Sequence, residues 1–98
     1  MQTIVRDQAK KYAFDWRDEP LLRVREGETI AIETWDASTG FFKAPEDKAI
    51  PANRPGFDRS PPMANPIAGP VYIEGAERGD VLVACIEEVE VADYSWVA

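Results

Sequence analysis

Histidine is missing from this 98-residue chain. Its absence removes the commonest metal ligand and general base, and with them every Ser-His or Cys-His dyad. Any chemistry the chain takes part in must use carboxylates or borrow residues from elsewhere. Cysteine is almost missing as well. Cys85 stands alone, so no internal disulfide forms. Its apolar neighbours in "VLVACIEEV" favour a buried small hydrophobe over a reactive thiol, which needs a partly exposed, electropositive setting. Blue-copper ligation, which requires His and Cys in fixed places, is excluded. Long apolar runs are lacking too: nothing approaches the ~18–20 residues of a membrane span. The first residues, "MQTIVRDQAKK", carry no apolar signal-peptide core. The expectation is a cytoplasmic protein without a membrane partner. Basic clusters stop at Lys10-Lys11, and the formal net charge is −7. Such a chain repels phosphate backbones, so no nucleic-acid partner is expected.

What is present reads as one globular domain over residues 1–98, with 45% apolar and 30% charged residues. A domain this small buries about 60–70% of its unfolded surface, so its core is thin. No segment keeps a 3.6-residue apolar period over ten residues, and the chain reads as mostly β, a sandwich or barrel-like domain. "TIVRD" and "KYAFDW" are short strand candidates, with Pro20 in the following turn. "LLRVREGETIAIETWD" reads as two strands joined at Glu26-Gly27, where glycine supplies a left-handed turn conformation. "GPVYIEG" and "DVLVACIEEVEV" add two more around "EGAERGD". Val81–Ile86 is apolar on both faces, as a covered central strand would be. Beyond it Val89 and Val91 alternate with Glu88 and Glu90. "REGETIAIE" and "ERGDVLVAC" echo each other, a weak sign of duplication that turn chemistry alone can produce.

Residues 37–69 differ in kind. They hold six of the eight prolines and form no clear strand. A structureless connection this long is unusual in a compact domain. Phe41, Phe42, Ile50, Phe57, Met63 and Ile67 make it too apolar for a linker. It reads as an irregular loop packed over something, a lid or a pocket lining.

Carboxylates are the candidate chemistry. Alternation after Gly27 puts Ile30, Ile32, Thr34 and Asp36 on one face. Asp36 then ends an apolar row, where a carboxylate is costly unless hydrogen-bonded, paired, near solvent or metal-bound. It either caps the "ASTG" turn or serves a site. Between Glu74 and Asp93 seven acids face Arg78 alone. They form a solvated acidic face, or a surface that meets a basic partner or helps hold a cation. Trp16, Trp35, Trp96, Tyr72 and Tyr94 read mainly as core or interface packing, with Trp35 a pocket-lining candidate beside Asp36.

"PLLRVREGETIAIETWDASTG" followed by "NPIAGPVYIEGAERGDVLVACIEEVEVADYSW" resembles the N-terminal portion of the acetamidase/formamidase family. The likeness spans Pro20 to Trp96 and is densest in "NPIAGPVYIEGAERGD". Members are longer, largely β, oligomeric, and hydrolyse small amides to the acid and ammonia with a divalent metal, commonly zinc. The resemblance implies Asp36 as a metal or active-site carboxylate, and Glu74 and Glu77 as further catalytic acids. Asp80 matches the family's "GD" acid but is more simply a turn residue. A metal would lower the pKa of a bound water towards ~7 and polarise the amide carbonyl. Members also carry histidines that this chain lacks, and three carboxylates suit magnesium, calcium or manganese better than zinc. The implied role is therefore a small subunit or N-terminal portion of an amide hydrolase, inactive alone and completed by a larger chain or a C-terminal part. The alternative is a non-catalytic β-domain for assembly or small-ligand binding.

Overall fold

The computed structural model describes residues 1–97. Four three-residue strands form where β-branched and aliphatic residues concentrate: β1 (Gln2–Ile4), β2 (Leu22–Val24), β3 (Ile30–Ile32) and β4 (Val71–Ile73). Two single 3-10 turns, Arg6–Gln8 and Pro51–Asn53, are the helical elements among the described residues. The chain is thus mostly non-helical, with its strands in two parallel pairs, β1–β3 and β2–β4, and it is not a closed barrel. No helix among the described residues is long and apolar enough to cross a membrane.

The two strands flanking Gly27 do not pair with each other. Gly27 does take the left-handed conformation, φ +82°, and Glu28 N–H donates to Arg25 C=O at 3.1 Å. The turn is then claimed by β1. Gln2 Nε2 donates to Arg23 C=O at 2.7 Å and to Glu28 Oε2 at 2.8 Å. This brings β1 to the edge of β3, with Ile4 opposite Ile32. β2 is left to pair with β4, Val24 opposite Ile73. Each parallel pairing spans the long crossover that parallel strands require.

The core is thinner than the length alone implies, since the chain exposes 8336 Å² where a compact monomer of its mass exposes about 5,600 Å². Among the described residues Ile4, Ala9, Val24, Phe42 and Ala64 are the buried apolar ones, and Ile4 is the one large side chain fully shielded. Ser38 is the buried polar residue, its Oγ accepting from Arg54 Nε at 3.0 Å. Phe42 and Ala64 come from the 37–69 segment, but of the large apolar groups expected to pack there only Phe42 is buried, while Phe41, Ile50, Phe57 and Met63 stay exposed. Arg54 knits that loop further. Its Nη2 donates to Ala37 C=O at 3.2 Å and to Asn65 Oδ1 at 3.1 Å. Its guanidinium also lies over Phe57 at 4.7 Å and Trp96 at 5.4 Å, a cation–π geometry.

Three expectations fail. "KYAFDW" forms no strand: Lys11 bridges Ile67, while Phe14 and Trp16 are exposed. The inward row of β3 stops early, because the strand ends at Ile32, itself half exposed, so alternation does not govern Asp36. "DVLVACIEEVEV" joins no sheet, and Cys85 is exposed rather than buried. In each case local β propensity is present but no neighbouring strand reaches the segment.

Candidate functional site

Asp36 lies four residues past the end of β3, at the entry to the 37–69 loop. Its Oδ1 accepts from Ser38 N–H at 2.7 Å and from Gly40 N–H at 3.2 Å, and its Oδ2 lies 3.2 Å from the same Gly40 nitrogen. Thr39 N–H closes the turn onto Asp36 C=O at 3.1 Å. This is the aspartate-capped turn that a short acid followed by Ser, Thr and Gly favours. Gly40 adopts φ +73°, and a Cβ there would stand 3.0 Å from Trp35 Cζ3. Trp35 is pinned in turn: its Nε1 donates to Arg6 C=O at 2.9 Å, and the Arg6 guanidinium sits 4.3 Å from its ring. The Asp36 carboxylate is half-buried and rigidly aimed. An ionised carboxylate offers about four acceptor positions, and two donors leave some of them unused.

Glu74 immediately follows β4. Its backbone N–H extends the β2–β4 ladder to Val24 C=O at 2.8 Å, and its Oε2 lies 3.5 Å from Arg25 Nε. Both side chains are largely exposed, so this pair contributes little to stability. Glu77 and Asp80 define the next turn. Glu77 N–H donates to Asp80 Oδ2 at 2.8 Å and Asp80 N–H to Glu77 C=O at 3.0 Å. Gly79, at φ +97°, supplies its left-handed corner, and Gly75, at φ +82°, that of the preceding turn, closed by Ala76 N–H onto Ile73 C=O at 3.2 Å. Asp80 is thus a turn residue, and the Glu77 side chain points into solvent.

No three of the described Cys, Asp and Glu residues converge in a set that could hold a metal ion. Asp36, Glu74 and Glu77 therefore form no such set, and each lies at a strand end or turn. They do not by themselves make a zinc or magnesium site, since catalytic zinc takes three protein ligands and hard cations take several oxygens.

Residues of the 37–69 segment, read from the sequence as a lid or pocket lining, border an open cleft of about 610 Å³ along the capped turn. Ser38–Phe41 form one wall and Gly56 and Met63 another, with Lys43 and Arg59 as the charged lining residues. Asp36 does not line it. Lys43 and Arg59 are two of the four bases in residues 37–69, with Lys48 and Arg54, and nothing in their spacing singles them out. Comparison of the chain with family models, with curated proteins and with solved structures returns no significant match.

Proposed function

We propose that the chain is a small, N-terminal portion of a metal-dependent hydrolase of formamide- or acetamide-like amides. It works within an oligomer, and its active site is completed by a larger subunit or a C-terminal part. In that assembly β1–β4 join a larger β-sandwich. The observation that carries this reading is Asp36: a half-buried carboxylate, held in place by two backbone amides, with acceptor capacity to spare. It stands where the likeness to the amidase sequences places a site acid. Glu74 and Glu77, on the segment where that likeness is densest, supply a proton acceptor or orient a neighbouring ligand. The missing ligands come from outside this chain, because the carboxylates here do not converge.

A second reading is a non-catalytic β-domain for assembly or small-ligand binding. It is favoured by the same amide bonds, which explain Asp36 as a turn cap alone, and by the Lys43–Arg59 cleft. Native mass spectrometry of the protein purified gently from its source, with metal analysis of the same fraction, separates the two. A complex with a larger chain, a stoichiometric divalent metal and turnover of formamide or acetamide supports the hydrolase. A metal-free particle built only of the 11.0 kDa chain overturns it.

A further inference from the structure

Residues 81–91 are the most apolar stretch of the chain and the least covered. Val81 is 87% exposed, Val83 77%, Ile86 76% and Val91 84%. Among the described residues, no backbone N–H or C=O from 81 to 97 bonds to other backbone. Both ends of the stretch are nevertheless anchored. The Glu77–Asp80 turn holds one, and Trp96 holds the other, packed edge-on against buried Phe42 with ring centres 4.9 Å apart. A pinned, apolar segment with every ladder position open is a strand without its sheet.

The area exposed fits that description. The chain shows 8336 Å² of surface, whereas a compact monomer of its mass exposes about 5,600 Å². Its radius of gyration is 15.9 Å, against about 13 Å for a compact chain of this length. The excess is more than one partner's share of a standard interface, roughly 800 Å².

Charge decides the occupant. Within 81–93 lie Glu87, Glu88, Glu90 and Asp93 and no basic residue. Parallel, in-register pairing with a second copy would set these acids beside their own equivalents, where like charges destabilise, and any pairing of copies brings together two chains of net charge −7. We infer that residues 81–91 add as a strand to the sheet edge of a different polypeptide, one whose edge alternates apolar residues with Lys or Arg. Main-chain bonds supply the affinity, Val81–Ile86 fill apolar positions on both faces, and Glu87, Glu88 and Glu90 select the basic partner. This inference does not depend on amide hydrolysis, and its test measures no activity.

The test uses two strand-length synthetic peptides, one alternating valine with lysine and the other valine with glutamate. Binding is followed by fluorescence anisotropy, and amide hydrogen exchange of the intact chain maps the site. The valine–lysine peptide is expected to protect amides 81–91 and to bind about tenfold more tightly than the glutamate peptide, the sum of a few cross-strand charge pairs. The triple variant Glu87→Lys, Glu88→Lys, Glu90→Lys should reverse that preference, and Val83→Asp should weaken both peptides. Because all four positions are exposed, these variants leave the core intact. Equal binding of both peptides, protection elsewhere in the chain, or a self-associated chain with 81–91 already protected each overturns the inference.

Discussion

Replacing Asp36 in two ways separates its cap from its charge. Asp36→Ala leaves Ser38 N–H and Gly40 N–H without their acceptor, and Ser38 is only 2% exposed. Loss of a capping residue costs about 0.5–2 kcal/mol and a hydrogen bond to a charged group about 1.5–3. Alanine should therefore destabilise by about 2 kcal/mol, a large fraction of what so thin a core supplies. Asp36→Asn keeps an oxygen in the Oδ1 position, within reach of both amides, and asparagine caps about as well as aspartate. The Gly40 nitrogen faces Oδ1 and Oδ2 at the same 3.2 Å, so turning the new amide group away from it costs little. The asparagine variant should lose less than about 1 kcal/mol. Urea unfolding followed by tryptophan fluorescence gives both numbers. In the gently purified complex, metal content and amide turnover should fall for asparagine as far as for alanine, because either change removes the anion. Equal destabilisation by the two substitutions would refute the geometric account of the turn. Full metal content and activity in the asparagine complex would refute Asp36 as a site carboxylate.

Two further predictions follow from the local geometry. Gly40→Ala should cost more than Gly75→Ala: both force a left-handed alanine, about 1–2 kcal/mol, but only at position 40 does the new Cβ meet Trp35, at 3.0 Å. Thermal unfolding of the two variants checks the order, and equal losses would remove Trp35 from the account. The Glu28 carboxyl is held below its ordinary value, chiefly by the Gln2 side-chain amide and then by Arg25 N–H. A carboxyl whose pKa is lowered by folding stabilises the fold above its unfolded value, about 4.3, and loses that contribution as pH falls through the folded value. The β1 attachment should therefore weaken on acidification below about pH 4.3, and Gln2→Ala should move the Glu28 titration upwards in an NMR pH series.

Much of the local structure was legible because it depends on neighbours in sequence. Val, Ile and Leu at β1 to β4 mark strands, and Gly27, Gly75 and Gly79 mark corners that their positive φ angles bear out. The large apolar groups of 37–69 foretell a packed loop only in part: Phe42 is buried, but Phe41, Ile50, Phe57 and Met63 are exposed. The Asp-x-Ser-Thr-Gly order makes the turn cap readable without coordinates. Which residues of 37–69 line a pocket was not readable, since the Lys43–Arg59 cleft forms only when Gly56 and Met63 fold back towards Ser38–Phe41.

By itself, then, the sequence determined what is chemically available: carboxylates without imidazole, no disulfide, a strongly acidic balance, short strands and glycine corners. Those properties are carried by residue types and adjacent positions. The tertiary structure decided which strands meet. Gln2, 26 residues from Glu28, captures the turn that would otherwise close a hairpin, and β2 passes to β4. It also decided that residues 81–91, the segment with the strongest strand pattern, stay uncovered. Pairing depends on which distant edge is within reach, and burial on what that edge brings with it; a run of valines specifies neither.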